Sequence, residues 1–155
     1  MSVAVREDRH MVPARLNVTT LVTRDVQARR RFYEALGWQS MLEARDDFAR
    51  LGTQGAHLTL WTRAEAETEI VAPLRAAGHE FHDYTLAIGV ERREDVDAGL
   101  EAARQAGATI VTEATDRPFG GRSGYFVDPE GAPWEIVWIP GATLDERGGL
   151  SWPRS

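Results

Sequence analysis

Apolar and polar residues follow two similar series of patterns along the chain, and each series predicts a strand, a helix and three further strands. In the first series, alternation predicts a strand over 16–23 and helical spacing predicts a helix over 25–36, which Gly37 is placed to end. The other predicted elements are strands at 38–44, 48–51, 56–61 and 81–90, a helix at 94–106, and strands at 109–112, 123–127 and 134–139. Two such halves, facing each other across a pseudo-two-fold axis, enclose a cleft.

The repeat divides the chain into a first half at 15–62 and a second half at 81–140. Between them, 63–80 is rich in alanine and glutamate but contains Pro73, so we predict a linker with partial helix. Residues 1–14 are predicted to form a flexible tail. The segment 141–155 is predicted to run over the surface or onto a partner subunit. The whole chain is predicted to form one compact α+β domain.

Composition excludes several classes of protein. The 155 residues are 43% hydrophobic, which is enough for one core without a covalent or metal staple. Cysteine is absent, so disulfides and thiolate sites are excluded, and a cytoplasmic location is expected. The formal charge of −6 disfavours nucleic acid, and the basic run at 29–31 reads as a solvated helix face. No apolar segment at the start of the chain predicts a signal peptide or a membrane span.

Strand periodicity assigns the side chains of the predicted strands to two faces of a sheet. The more apolar set is predicted to form the core against the helices, and its members are Leu58, Leu60, Leu86, Ile88, Val90, Trp134, Ile136 and Trp138. The other set is predicted to line the cleft, and its members are Val18, Thr20, Val22, His57, Thr59, Trp61, Asp83, Thr85, Ala87, Glu135 and Val137. This mixture suits a flat, partly aromatic organic ligand held by stacking and a few hydrogen bonds.

The candidate ligand-binding residues from this face are Thr20, His57, Thr59, Trp61, Thr85, Tyr125 and Glu135. Glu135 is the best candidate catalytic acid or base, because a carboxyl group buried on a cleft wall has a raised pKa. The alternative hypothesis is that Glu135 has a structural role and forms a hydrogen bond with His57 or a threonine. The glycine-rich segment 119–124 lacks the Gly-Lys-Ser/Thr sequence that ends a phosphate-binding loop. We predict that it forms a flexible hairpin at the edge of the cleft, from which Arg122 and Tyr125 reach a ligand.

Two segments carry a family resemblance: 32–38, which reads FYEALGW, and 124–131, which reads GYFVDPEG and leads into Trp134 and Glu135. Over 15–140 the chain resembles the vicinal oxygen chelate superfamily, which contains glyoxalase I, extradiol dioxygenases and bleomycin-type resistance proteins. The resemblance implies paired βαβββ modules in a curved mixed sheet around a cleft. Both segments are also explained by structural roles alone. Phe32, Tyr33 and Leu36 are predicted to anchor a helix on a sheet, and residues 128–131 are predicted to form a hairpin turn.

Metal-dependent members of that superfamily place four ligands, usually His or Glu, on the first and last strands of each half. The positions of this chain that match them are Val18, Thr59, Thr85 and Glu135. Because a divalent metal needs three or more good donors, we predict no tightly held metal and favour no cofactor. A divalent metal held by His57 and Glu135 remains the alternative. His79 and His82 are predicted to lie on the surface.

The sequence therefore predicts a small-molecule-binding protein of the drug- or metabolite-sequestering, bleomycin-resistance-like type that forms a homodimer. The alternative is a glyoxalase- or dioxygenase-like enzyme, either metal-dependent through non-standard ligands or using Glu135 as acid or base. A purely structural or partner-binding module is a third, less favoured class. The pattern leaves open the identity of the ligand and whether the cleft forms within one chain or between two.

Overall fold

The computed structural model describes residues 12–41 and 45–153. The first half contains β1 (Val18–Thr23), α1 (Val26–Ala35), β2 (Gln39–Ser40), β3 (Phe48–Gly52) and β4 (His57–Thr62). A helical linker follows, formed by α2 (Arg63–Ala66), a π-helical turn (Glu67–Val71) and α3 (Ala72–Ala76). The second half contains β5 (Tyr84–Gly89), α4 (Glu94–Gln105), β6 (Thr109–Asp116), β7 (Arg122–Val127) and β8 (Pro133–Trp138). A small hairpin, β9 (Thr143–Leu144) and β10 (Leu150–Ser151), lies near the end of the chain.

Eight strands form one mixed sheet in the order β2-β3-β4-β1-β5-β8-β7-β6. Read inward from either edge, the order gives the second, third, fourth and first strand of one half. The antiparallel pair β1 and β5 joins the halves, while β1 with β4 and β5 with β8 are parallel. The predicted α+β fold with a large mixed sheet is confirmed. Of the strand predicted at 38–44, β2 is formed, and positions 42–44 lie outside the described residues.

Helix α1 begins and ends as the sequence predicts. Asp25 caps it by accepting a hydrogen bond of 2.9 Å from the Ala28 backbone N–H, and Gly37 follows it with φ of +89°. The predicted anchoring by Phe32 and Leu36 is wrong, because these side chains are 58% and 57% exposed. Val26 and Tyr33, seven residues or nearly two turns apart, lie on the face of the helix that packs against the sheet.

The two helices α1 and α4 cover one face of the sheet. Under α1, Leu60 packs with Val26 and Ala49. Under α4, Ile136 packs with Val96 and Leu100. Leu60 and Ile136 belong to the set predicted to form the core, so the predicted assignment of strand faces is correct at these two positions.

The opposite face, which we call the inner face, is also covered. The helical linker packs Ala66, Ile70, Val71 and Leu74 against Val22, Tyr125 and Val127. The end of the chain packs Leu150 and Trp152 against Val18, Ala87, Val137 and Ile139. The tail therefore covers part of the inner face of its own chain, and the predicted contact with a partner subunit stays a prediction. The physical reason is that burying a tryptophan and a leucine side chain on an apolar surface is more favourable than leaving them in water.

The linker is also more regular than predicted. Helical backbone continues from Arg63 to Ala76, and Pro73 lies in the first turn of α3, directly after the π-helical turn. Within the described part of the chain, every helix is too short or too polar to traverse a bilayer.

Candidate functional site

Strand register brings three of the predicted ligand-binding residues together at the centre of the inner face. Thr20 on β1 lies opposite Thr59 on β4 and opposite Thr85 on β5. The hydroxyl groups of Thr20 and Thr59 are 2.8 Å apart and hydrogen-bonded, and all three threonines are buried. They form a short polar band across the centre of the inner face.

Glu135 lies beside this band, between Ala87 on β5 and Tyr125 on β7. Two effects raise the pKa of Glu135 from 4.5 to about 7. Burial of the carboxyl group is the larger effect, and the negative charge of Glu69 is the smaller one. The Ser123 hydroxyl and the Arg117 guanidinium act in the opposite direction, because each stabilises the carboxylate. Near neutral pH, Glu135 is therefore poised between its protonated and ionised forms.

The Glu69 carboxylate reaches the same site from the π-helical turn of the linker. The Tyr125 hydroxyl donates a hydrogen bond of 2.8 Å to Glu69 Oε1, and Arg117 Nε lies 3.5 Å from that oxygen. The Thr112 hydroxyl donates to the backbone oxygen of Glu69 over 2.9 Å, which fixes the turn to β6. Short π-helical turns occur frequently at functional sites.

Arg117 provides the positive charge of the site. Its Nε donates to Ser123 Oγ over 2.8 Å and its Nη2 donates to the Ser123 backbone oxygen over 3.2 Å. Because Ser123 Oγ accepts from Arg117, its own hydrogen is available for Glu135. The Arg117 side chain is 11% exposed. We call the group of Glu69, Arg117, Ser123, Tyr125 and Glu135 the glutamate cluster.

The glutamate cluster has the composition of an acid–base site. Two carboxyl groups share one guanidinium, so the protonated form of Glu135 leaves the cluster electrically neutral. Burial also raises the pKa of Tyr125 well above its ordinary value, and the nearby carboxylates add to that effect, so this hydroxyl remains a donor. A carboxyl group whose pKa is raised to about 7 is suited to giving and taking a proton near neutral pH.

The other predicted site residues lie under the covering segments. His57 Nε2 is 2.7 Å from the Leu150 backbone oxygen, and the His57 ring meets the Trp152 ring edge to face at 5.7 Å. Trp61 is partly buried against the helical linker. The structure therefore distributes the predicted residues among the central threonine band, the glutamate cluster, the C-terminal tail and the linker.

Arg122 does not face the inner side of the sheet. It pairs with Asp97 on α4, at 2.8 Å, and with Asp116 at the end of β6, and these hydrogen bonds raise its pKa. The prediction that Arg122 reaches a ligand beside Tyr125 is therefore wrong. The reason is the alternation of side chains along β7. Arg122 and Tyr125 point to opposite faces of the sheet, whereas Ser123 and Tyr125 point to the same face.

Glu69 and Arg117 were missed by the sequence analysis. Glu69 lies in a segment read as a linker, where no strand periodicity assigns a side chain to the cleft. Arg117 lies between two strands, and only the path of the β6–β7 connection brings it to Ser123. Helical spacing of the apolar residues Ala66, Ile70 and Leu74 is a signal that the linker packs on a surface, but it does not place Glu69 beside Glu135.

The side chains present do not fit the divalent metal of the metal-dependent relatives. Of the four matching positions, Val18 packs in an apolar cluster, the Thr59 hydroxyl is paired with Thr20, and only Glu135 offers a carboxylate. Within 12–41 and 45–153, no group of three His, Cys, Asp or Glu side chains is arranged to hold a metal. His57 contacts the tail instead of joining Glu135 in such a group.

Two surface cavities lie away from the inner face. They have volumes of about 220 and 410 Å³, and both are lined by Pro13 and Arg15. The smaller one extends to the start of α4, and the larger one is bordered by Phe126 and Trp134. Neither is lined by a member of the glutamate cluster.

The fold agrees with a comparison against known families. The profile of the Glyoxalase/Bleomycin resistance protein/Dioxygenase superfamily matches residues 15–136. This chain belongs to that superfamily. The resemblance to the vicinal oxygen chelate proteins is thereby confirmed. No curated protein matches the chain by sequence.

Solved structures with a similar fold include three bacterial proteins. The NAD-dependent benzaldehyde dehydrogenase from Legionella pneumophila is 22% identical, with a TM-score of 0.65 over 79% of this chain and 98% of that chain. The methylmalonyl-CoA epimerase from Streptomyces coelicolor, in complex with 2-nitronate-propionyl-CoA, is 20% identical, with a TM-score of 0.57 over 82% and 95%. A hypothetical protein from Bacillus halodurans is 17% identical, with a TM-score of 0.57 over 84% and 97%. At these identities the likeness shows the fold alone.

Proposed function

We propose that this chain binds a small organic molecule at the inner face of its sheet, without a metal, and holds the ligand's polar group at the glutamate cluster. The observation that supports this proposal is the convergence of Glu69, Arg117, Ser123 and Tyr125 on Glu135, on a face that also carries two apolar clusters. Buried titratable groups are unfavourable for folding, and they occur preferentially at functional sites.

The ligand class follows from the state of the cluster. Since the protonated cluster is neutral, it suits an uncharged ligand with a carbonyl or hydroxyl oxygen better than an anion. Protonated Glu135 donates a hydrogen bond to that oxygen, and the surrounding apolar side chains contact a planar, partly aromatic body. Drug or metabolite sequestration of the bleomycin-resistance type is the biological role that we propose for such binding. The predicted homodimer and cytoplasmic location stay predictions.

The pH dependence of binding tests this proposal. The probe is 2-acetylnaphthalene, an uncharged planar ketone, and its dissociation constant is measured between pH 6 and pH 8 by tryptophan emission and calorimetry. We expect affinity to fall as the pH rises through about 7, because Glu135 loses the proton that it donates. Glu135→Gln retains an N–H donor but cannot ionise, so its affinity is expected to be independent of pH.

The matched control is Glu130→Gln, which alters an exposed glutamate in the turn before β8. We expect the control to retain the pH dependence of the unaltered chain. Equal affinity at pH 6 and pH 8 in the unaltered chain would refute a binding role for protonated Glu135, as would an unchanged pH dependence in Glu135→Gln. Absence of binding by every planar ketone and phenol tested would refute the proposal as a whole.

The pKa of Glu135 also favours a second candidate, proton transfer. The ionised carboxylate takes a proton from the carbon next to a ligand carbonyl, the electron pair of the C–H bond moves to the carbonyl, and an enolate forms. Return of the proton from Glu135 to that carbon restores the ketone. Arg117 or Tyr125 is placed to stabilise the oxygen of the enolate. The fold likeness to an epimerase shows that such a fold accommodates an enzyme, and no more than that.

Deuterium exchange distinguishes the two candidates with the same probe. A proton-transfer enzyme incorporates solvent deuterium into the methyl group of 2-acetylnaphthalene, which proton NMR follows directly. We expect the exchange rate to increase as Glu135 ionises and to be lost in Glu135→Gln while binding persists. Binding without accelerated exchange at any pH between 6 and 9 would leave sequestration as the function.

A further inference from the structure

The tail places an aromatic ring on the inner face. Trp152 packs on the apolar cluster formed by Val18, Ala87, Val137 and Ile139. Its ring also meets the edge of His57 at 5.7 Å. These contacts place an indole among the residues that the sequence assigns to the ligand-binding wall.

A cation lies against the same ring. The guanidinium carbon of Arg50 is 4.6 Å from the centre of the Trp152 ring, which is within the range of a cation–π interaction. Arg50 is only 2% exposed, and it lies on β3 directly opposite Thr59 of the central threonine band. We call the surroundings of the ring, formed by Val18, Arg50, His57 and Val137, the indole site.

The tail that delivers Trp152 is attached to the sheet by few directed bonds. Strands β9 and β10 form a separate two-stranded sheet, so their backbones do not continue the ladder of the large sheet. Side-chain hydrogen bonds connect this hairpin to the rest of the fold, from Asn17 Nδ2 to the Gly148 oxygen at 2.8 Å and between His57 Nε2 and the Leu150 oxygen at 2.7 Å. Such an attachment opens at a smaller free energy than a strand within the ladder.

We propose that the indole site binds the planar, electron-rich aromatic ring of an external ligand, and that Trp152 occupies the site when the ligand is absent. The proposal rests on the proposed function, in that the same ligand places its polar group at the glutamate cluster. The ring specificity follows from the site itself, since a guanidinium favours an electron-rich π face and the apolar floor accepts a flat ring.

Competition between ligand and tail has a measurable consequence. While Trp152 occupies the site, only the fraction of molecules with a displaced tail binds ligand, so the apparent dissociation constant is increased by the reciprocal of that fraction. Removal of the indole abolishes the competitor. The affinity of an aromatic probe is therefore expected to increase in Trp152→Ala, whereas an ordinary destabilising substitution lowers it.

The test compares the full-length chain with Trp152→Ala and, as a matched control, Trp38→Ala, which removes a partly exposed indole near the end of α1. The probes are 2-naphthol and its saturated analogue decahydro-2-naphthol, which carries the same hydroxyl on the same two-ring skeleton. We expect 2-naphthol to bind Trp152→Ala at least about tenfold more tightly than it binds the unaltered chain. Trp38→Ala is expected to match the unaltered chain, and the saturated analogue to bind Trp152→Ala about fivefold more weakly than 2-naphthol.

A second measurement does not depend on the folding of Trp152→Ala. The unaltered chain is labelled with 5-fluorotryptophan, and the fluorine resonance of residue 152 is assigned by its loss in Trp152→Phe. Saturation with 2-naphthol is expected to move that resonance to the position of a solvent-exposed indole. An unmoved resonance at saturation, or equal affinity of Trp152→Ala and the unaltered chain, would overturn the indole site.

The two proposals fail separately. If 2-naphthol displaces Trp152 but binding of 2-acetylnaphthalene shows no dependence on Glu135, the indole site stands and the role of the glutamate cluster is refuted. If binding depends on Glu135 while Trp152 stays in place, the reverse holds.

Discussion

The Tyr125 hydroxyl donates a hydrogen bond of 2.8 Å to the Glu69 carboxylate, and this contact joins the middle of β7 to the π-helical turn of the linker. The bond places a second negative charge near Glu135, which lies opposite Tyr125 on β8. A segment that connects the two halves in sequence thus becomes part of the candidate site. The linker carries the Glu69 charge and also covers the inner face. Movement of the linker would therefore change both the access to Glu135 and the pKa of Glu135.

Opposite shifts in the pKa of Glu135 are expected from two neighbouring substitutions. Glu69→Gln removes a negative charge that raises this pKa, so the pKa is expected to fall from about 7 toward its ordinary range. Arg117→Gln removes a positive charge that lowers the same pKa, so the pKa is expected to rise. Carbon-13 NMR titration of the Glu135 carboxyl group measures both shifts.

The control for this pair is Glu65→Gln, an exposed change in α2 that is expected to leave the titration of Glu135 in place. Shifts of the same sign for Glu69→Gln and Arg117→Gln would show that loss of packing, not charge, controls the site.

Glu135→Gln is expected to change how stability depends on pH. Between pH 4.5 and about 7, folded Glu135 holds its proton while the unfolded chain has lost it, so the free energy of unfolding decreases as the pH rises. The full effect above pH 7 is about 3 kcal/mol, from a shift of roughly 2.5 pH units at 1.36 kcal/mol each. Glu135→Gln is expected to be more stable than the unaltered chain at pH 8 and to lose this advantage by pH 5. Urea unfolding at both pH values measures the difference, and identical pH profiles would contradict the raised pKa.

Tyr125→Phe removes the hydroxyl that donates to Glu69 and that also hydrogen-bonds with Glu135. The phenylalanine ring retains the packing against Ile70 and Val22, but the Glu69 carboxylate loses the hydroxyl donor and keeps Arg117 nearby. Loss of a hydrogen bond to a charged group is expected to lower the free energy of unfolding by about 2 kcal/mol. The control is Tyr33→Phe on α1, whose ring contacts with Phe32 and Trp38 are preserved by the change. Equal losses in the two variants would mean that the 2.8 Å bond adds nothing to stability.

Gly124→Ala is expected to destabilise the second half. A Cβ atom at this position would lie 2.9 Å from the Thr112 backbone oxygen and would collide with the Leu100 side chain of α4. Overpacking of this kind costs about 1–3 kcal/mol. Gly52→Ala on β3 is the matched control, since its Cβ would meet the Gln39 oxygen at an ordinary 3.5 Å. Thermal unfolding is expected to show a loss for the first variant and little change for the second.

Metal titration tests the mismatch between the donor set and the metal-dependent relatives. Nickel, zinc, manganese and iron(II) are added to chain purified without chelators, and binding is followed by calorimetry. We expect no stoichiometric binding at the inner face, because the positions matching the metal ligands supply one carboxylate, Glu135. Near-stoichiometric metal that disappears in Glu135→Ala or His57→Ala would contradict this expectation and revive the metal-dependent alternative.

Local chemistry alone was enough to predict most of the elements. Asp25 and Gly37 define the ends of α1 through capping and positive φ, which are properties of neighbouring residues in the chain. Alternation placed Thr20, Thr59, Thr85 and Glu135 on one face, and the strand register agrees with that placement. The prediction for Phe32 and Leu36 was wrong because not every hydrophobic residue of a short helix lies on the side that packs against the sheet. In α1 that side is formed by Val26 and Tyr33.

The sequence by itself determined the α+β fold, the pairing of two halves, and the position of Glu135 on the inner face, because strand and helix periods act over a few residues. Only the tertiary structure decided that Glu69 and Arg117 surround Glu135 and that Trp152 lies on Arg50. These contacts join segments far apart in the chain, through a linker and a tail that follow no strand period. Their positions depend on which apolar surfaces remain to be covered once the sheet has formed.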